Sequence, residues 1–365
     1  MTANATQITG RRRFLIGLSA LALAGCNNAG PAQLSFRSTS DPDPLASVRL
    51  VANAGPETWA RHAPVHRRNV LALSSGAEDG AFGAGALVGW SQTGKRPEFD
   101  IVTGVSTGAL IAPFAFLGRS YDGNLQQIFT QYSAHDIMRL NLFNVAVSDA
   151  LYNTTPLEKL IFNYTPPSFL KAIAKRHAEG AKLFIVTSEL ATSQAYVWDM
   201  GAIAQSGQYD LFRAILRASS AQPGLFPPVK LQYIRDGKTY EETHLDGGVH
   251  MQFLATSCYS DRVPANGHLY LLINNTLHPA RTESAGSAIG ILSQALTTMN
   301  RASALAAVNS TQSFADMNGI KLSAAAINPN AGIIYDSSDR FSQSYMNALF
   351  DHGFQRAVDG NLWVV

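Results

Sequence analysis

A chain of 365 residues, 46% hydrophobic and 15% charged, can bury a substantial core as one large domain or as a domain with an appendage. A formal net charge of +2, with no Lys/Arg cluster beyond the N-terminus, argues against a nucleic-acid binder held by phosphate contacts. Two cysteines, Cys26 and Cys258, make neither a disulfide framework nor a zinc site.

The chain opens with Arg11-Arg12-Arg13 followed by an apolar segment, Phe14 to Ala24, too short for a stable transmembrane helix. This is the layout of an export signal over residues 1–25, and the arginines followed by Phe14-Leu15 look like a twin-arginine signal. Leu23-Ala24-Gly25-Cys26 resembles a bacterial lipobox, which implies a lipid on Cys26 and attachment to a membrane of the cell envelope. The plain alternative is an ordinary signal peptide with an incidental cysteine. Asn27 supplies no retention acid, which turns the expectation toward the outer membrane. Cys258 is then expected as a buried thiol. Residues 26–66, rich in Asn, Pro, Ser and Asp without sustained periodicity, read as a tether, although their apolar positions could still pack on the body.

From Asn69 the pattern turns to strand, turn and helix. Val70 to Leu73 is a short apolar strand, Ser74 to Gly80 a small-residue turn, and Ala81 to Trp90 helix-like. Phe99 to Val102 is a second strand, and Ala109 to Leu117 reads as a helix. Between Tyr121 and Arg176 lie helical segments with few strand signals, expected as a cap or insertion. Lys182 to Thr187 is a buried-type strand, with Ala195 to Trp198 a candidate neighbour and Tyr209 to Ala218 at helical spacing. His268 to Ile273 is a further strand. Ser284 to Met317 and Ser342 to Val358 look helical, around an apolar strand near Ile320 to Ile327. Such alternation predicts an α/β sheet covered by helices on both faces.

The chemistry concentrates at Gly104-Val105-Ser106-Thr107-Gly108, a serine between two glycines at a strand-to-helix junction. A turn this sharp strains the serine and leaves no room for bulk two residues away. In return it exposes the hydroxyl above the next helix's N-terminal amides. A serine nucleophile also needs a base and an oxyanion binder. The turn Ser74-Ser75-Gly76-Ala77-Glu78-Asp79-Gly80 leads into a helix, so its amides are free for a developing negative oxygen. Asp246-Gly247-Gly248 follows Thr243-His244-Leu245, an apparent strand end; Asp246 is a candidate base, or a plain turn residue.

These stretches, in this order, resemble the patatin-like phospholipases from about Val70 to Ile273. The resemblance rests on Leu71-Ala72-Leu73-Ser74, Gly80 to Gly85, the Gly104–Gly108 elbow, Thr187-Ser188-Glu189-Leu190, Arg217 to Pro223 with Phe226 to Val229, and Leu245-Asp246-Gly247-Gly248. It implies a three-layer α/β/α sandwich with a mostly parallel central sheet, here followed by a helical C-terminal extension. The implied boundaries are a catalytic domain over 67–275 and an extension over 276–365. It implies hydrolysis of lipid acyl esters by a Ser106–Asp246 dyad, with no metal or other cofactor, and membrane lipid or a lipid ester as the partner. Gly76, Ala77 and Thr107 would hold the oxyanion, and Gly104, Gly108, Gly247 and Gly248 are the motif glycines. The family's usual turn is close to G-G-G-x-R-G, whereas this chain has Ala77 where positive φ is costly and an acid, Asp79, at the basic position. That departure supports a rival reading, a lipoprotein that keeps the fold and binds lipid or a partner protein without turnover.

Histidines at 250, 268, 278 and 352 follow Asp246, so chain order alone allows a triad, with His244 and His250 flanking the aspartate. Gly89 to Lys95 matches G-x-x-x-x-G-K but continues with Arg96 and ends a helix, against the phosphate-loop setting. Arg213 and Arg217, four apart on one helix, suit ion pairs or a lipid phosphate. The aromatic and Met residues between Phe114 and Phe143 suit an acyl pocket or ordinary core packing.

Overall fold

Successive side chains of a strand leave on opposite faces, and the apolar strands of this chain use both. A computed structural model describes residues 32–34, 45–63, 68–140, 150–235, 237–259, 263, 266–278, 288–336 and 339–363. Strands β1 (Ala32–Leu34) and β2 (Arg49–Val51) and helix α1 (Pro56–His62) come first. Two strand-helix units follow, β3 (Asn69–Leu73) into α2 (Gly80–Gln92) and β4 (Ile101–Val105) into α3 (Thr107–Leu117). Next come α4 (Asp122–Thr130), α5 (Ala134–Ile137), the small pair β5 (Arg139–Leu140) and β6 (Tyr152–Asn153), α6 (Thr155–Tyr164) and α7 (Pro167–Ala178). Hairpin β7 (Lys182–Glu189) and β8 (Gln194–Asp199) leads through α8 (Met200–Gln205) and α9 (Tyr209–Ser219) to a second hairpin, β9 (Val229–Arg235) and β10 (Lys238–Asp246). The chain continues with β11 (His268–Ile273), α10 (Ala288–Asn318), β12 (Lys321–Ala326) and α11 (Gln343–Val358).

The centre of the sheet is parallel in the order β7-β4-β3-β11-β12. Strands β8 and β10 pair antiparallel with β7, and β9 and β1 continue outward from β10. Leu71, Leu73, Val102, Ile185 and Leu272 enter one core with Phe82, Ile111, Phe212 and Phe350 from the helices. Their neighbours Val70, Ala72, Ile101, Phe184 and Leu271 enter another with Trp59 of α1 and Val308 and Ala315 of α10. The result is the expected α/β/α sandwich.

Two expectations need correction. Within the expected tether, β2 pairs with β8, Leu45, Leu50 and Trp59 are buried, and Arg49 forks onto Glu242 of β10 (Nη2 to Oε1 2.9 Å). Those apolar residues are spaced for a strand and a short helix, and that burial outweighs the local polarity. The C-terminal part is not only a helical extension, because β12 joins the sheet beside β11 and α11 packs along α2. The β9–β10 hairpin alternates charged and apolar residues, and only its end was legible. The export signal and Cys26 lie outside the described residues, whereas Cys258 is fully buried.

Two glycines of α2, Gly85 and Gly89, serve that helix contact. A Cβ on Gly85 or Gly89 would run into the backbone of Phe350 or Phe354, and one on Gly353 into the Phe82 carbonyl. Gly353→Val therefore forces the two helices apart. The expected cost is about 2–3 kcal/mol, read as a lower urea midpoint at unchanged slope.

Candidate active site

The elbow is set by the sheet. β4 is buried along its whole length and ends at Val105, and Ser106 then turns the chain with φ 56° and ψ −123°. Such a conformation costs a non-glycine residue on the order of 1–3 kcal/mol and persists only where its surroundings impose it. Here they do. A Cβ on Gly104 would strike the backbone of Gly108, and one on Gly108 the Leu73 carbonyl, so β4, α3 and β3 close on one another through bare backbone. The Ser106 N–H donates to Ser219 Oγ (3.0 Å), whose hydroxyl donates to the Val186 carbonyl (2.7 Å). The last residue of α9, within the arginine-to-proline stretch, thus buttresses the serine.

Register brings the carboxylate to it. Val105 of β4 pairs with Val186 of β7, and the next residue of β7, Thr187, pairs with Asp246 of β10. Strand β8 occupies the other edge of β7, so β4 and β10 meet end to end along one edge. Ser106 Oγ donates to Asp246 Oδ2 at 2.6 Å, and Gly248 N–H donates to Oδ1 at 2.7 Å. The Asp246 N–H donates to the Ala221 carbonyl (3.0 Å), and Ser188 Oγ donates to the Asp246 carbonyl (2.9 Å). Burial pushes the Asp246 carboxyl up to about 7, against the opposing hydrogen bonds from Ser106 and Gly248. Gly247 is needed because a Cβ there would meet the Val186 carbonyl.

The turn after β3 is the third component. The N–H groups of Gly76, Ala77 and Thr107 have no hydrogen-bond acceptor among the described residues. Ala77 adopts φ 50°, the left-handed conformation that costs an L-residue roughly 1–2 kcal/mol. Two buried residues absent from the sequence reading hold this turn. Asn274, just past β11, donates from its backbone N–H to Ser74 Oγ (2.8 Å) and from Nδ2 to the Ser74 carbonyl (2.9 Å), and its Oδ1 accepts Gly83 N–H (3.1 Å). Gln252 accepts the Ser75 hydroxyl and donates Nε2 to the Gly248 carbonyl (3.1 Å), which joins this turn to the aspartate turn. A polar residue inside or directly after an apolar run was the available signal for both.

The turn's two acids are both engaged. Buried Glu78 pairs with Arg340 (Nη2 to Oε2 2.8 Å, Nε to Oε1 3.1 Å) and accepts Tyr335 Oη (2.9 Å). Asp79 accepts Tyr345 Oη at 2.7 Å; burial and the neighbouring Glu78 raise its carboxyl to about 7. Neither carboxylate is bonded to Ser106 or Asp246.

Ser106, Asp246, Ala77 and Thr107 border one cavity of about 920 Å³, its mouth included. Its walls are largely apolar, with Leu110, Phe114, Ile128, Phe129, Leu157, Ile161, Leu216 and Phe226 contributed by α3, α4, α6, α9 and the segment after α9. The cap helices and the aromatic stretch from Phe114 thus line the cavity as well as pack; Phe143 lies outside the described residues.

Other sequence candidates fall elsewhere. His244 is bonded to Thr187 (3.0 Å) and Glu242 (3.1 Å), and His250 to Ser188 (2.8 Å) and the Ser193 carbonyl (2.9 Å). Among the described residues no histidine is bonded to the Ser106 hydroxyl or the Asp246 carboxylate. Arg213 is held by Asp210 and Thr165, and Arg217 lies 3.8 Å from Glu158. The G-x-x-x-x-G-K stretch closes α2, with Gly94 at φ 69°.

The family model for patatin-like phospholipases matches residues 71–259, just over half of the chain, and the chain belongs to that family. Its members are typically lipid acyl hydrolases. No curated protein matches. Among solved structures, VipD from Legionella pneumophila is similar at 11% identity and TM-score 0.38, over 82% of this chain and 68% of VipD. The type III effector protein ExoU is similar at 11% identity and TM-score 0.24, over 82% of this chain and 54% of its own.

A carboxyl raised on folding favours the folded state when protonated. For Asp246 that stabilisation is whole below about pH 4 and gone above about pH 7. Asp246→Asn removes the buried charge, so its melting temperature relative to the parent should rise between pH 5 and pH 8 in paired thermal scans.

Proposed function

We propose that the protein is a lipid acyl hydrolase working through Ser106 and Asp246. The observation that carries this reading is the 2.6 Å hydrogen bond from the Ser106 hydroxyl to a desolvated carboxylate at the wall of an apolar cavity. A water-exposed aspartate is too weak a base for a serine hydroxyl; burial raises its basicity toward neutral pH. Ser106 Oγ attacks the ester carbonyl carbon while its proton passes to Asp246 Oδ2. Backbone N–H groups of Gly76, Ala77 and Thr107 take the charge of the tetrahedral oxygen, and loss of one such donor costs about 10²–10³ in rate. Collapse of the intermediate delivers the proton to the leaving alkoxide and leaves an acyl-serine. Water, deprotonated by Asp246, then hydrolyses it. The apolar walls suit a fatty acyl chain lying along α3 and the cap helices.

The rival, binding without turnover, rested on the altered turn. Ala77 at positive φ and the unbonded amides beside it favour hydrolysis, because the turn keeps its donors despite the substitutions. The reading extends to the N-terminus: a lipid on Cys26 would hold the site at an envelope membrane, the outer one by preference, where lipid esters are concentrated.

A fluorophosphonate probe should label the purified protein and leave Ser106→Ala unlabelled; equal labelling of the variant would name another nucleophile. Because the base must be ionised, kcat/KM on a p-nitrophenyl ester should climb tenfold per pH unit below about 7 and level off above it. A flat profile between pH 5 and 8 contradicts Asp246 as the base.

A further inference from the structure

The turn carrying Gly76 and Ala77 holds a conformation its own sequence disfavours. Ala77 sits at φ 50°, and its next two residues are adjacent acids that repel each other when ionised. Locally the turn closes a bond from the Asp79 N–H to the Gly76 carbonyl (3.0 Å), and Asn274 and Gln252 hold its start at Ser74 and Ser75, but none of these meets the two carboxylates. Balance comes from more than 250 residues downstream, where Arg340 grips Glu78 with two hydrogen bonds, Tyr335 adds a third, and Tyr345 holds Asp79. Glu78 directly follows Ala77, and its side chain is 3% exposed, so fixing this carboxylate in two directions fixes the peptide that sets the Ala77 conformation. Phe341 and Met346, from the same stretch, line the cavity that Ser106 borders, so the clamp is continuous with the site.

From this we infer that Arg340 is a positioning residue of the reaction: through Glu78 it holds Ala77 in its left-handed conformation and so keeps the turn's amides aimed for the oxyanion. The inference rests on the hydrolase reading above. Arg340 touches neither substrate nor Ser106, and its effect passes through one ion pair and one backbone torsion. A planar fork matters here, because Lys can make a point contact but cannot bind both carboxylate oxygens in a fixed plane. A glycine at position 77 has no such torsional preference and needs less holding.

The test compares Arg340→Met, Arg340→Lys and Ala77→Gly/Arg340→Met with the parent protein, full chain. Three measurements are made: kcat and KM on a p-nitrophenyl ester, affinity for a trifluoromethyl ketone that forms an anionic tetrahedral adduct, and hydrogen exchange of amides 75–80. Arg340→Met should lower kcat at least about tenfold with KM nearly unchanged, and weaken the ketone in parallel. It should also speed exchange in the turn while the exchange of β4 and β7 stays as in the parent. Arg340→Lys should fall between, and glycine at 77 should restore most of the lost kcat. Unchanged turn exchange in a folded Arg340→Met protein overturns the inference even if the parent hydrolyses nothing. So does a kcat loss that glycine at 77 leaves untouched, or one that follows only the folded fraction. If the parent shows no hydrolysis while turn exchange responds to Arg340, the hydrolase reading fails and the clamp stands.

Discussion

The site depends on the way two strands of opposite direction share one edge of β7. Strand β4 runs beside β7 until Val105 pairs with Val186, and β10 arrives from the other direction to pair Asp246 with Thr187. With β8 filling the opposite edge, the two strand ends have one place to meet. A one-residue slip of either strand would send the serine or the aspartate to the other face of the sheet. Residues 140 apart in sequence are therefore brought to 2.6 Å by hydrogen-bond register, with no long-range side-chain recognition needed.

Around that junction the protein maintains two strained non-glycine residues, Ser106 and Ala77, and a carboxylate raised toward neutrality. Each is imposed by a separate part of the fold. Ser219 and the bare backbone of Gly104 and Gly108 enforce the serine turn. Asn274 and Gln252 bind the glycine-rich turn to the end of β11 and to the aspartate turn. Their hydrogen bonds are buried, where an unmet donor is costly, so the network tolerates few partial arrangements. Rigidity of this kind is what preorganised oxyanion binding requires.

Much of this was legible in the sequence, because close packing and burial leave local marks. Apolar runs marked β3, β4, β7 and β11, the flanking glycines marked the elbow, and Asp246-Gly247-Gly248 marked the carboxylate. The less legible parts have physical reasons. The β9–β10 hairpin is largely solvent-facing, so its alternation of Tyr, Glu, Lys and Gln carries little hydrophobic signal. The segment around Trp59 is apolar only at the positions that touch the sheet, and polar composition hid it. Asn274, Gln252 and Arg340 act through partners far away in the chain, and no spacing rule announces such pairs. The acid at position 79 drew notice as a departure; the tyrosine that satisfies it belongs to α11, 266 residues later.

The position of β11 has a consequence for how the protein comes into being. The family match ends at residue 259, yet β11 lies directly beside β3 in the middle of the sheet, and β12 and α11 come later still. A ribosome that has delivered residue 259 has delivered both Ser106 and Asp246 without one wall of the sheet that supports them. Parallel pairing across such separations is slow to form and rewards the chain only at the end. On the proposed reading catalytic competence is thus withheld until β11, β12 and α11 have been made, which keeps a lipid-cleaving centre silent while that part of the sheet is still to come.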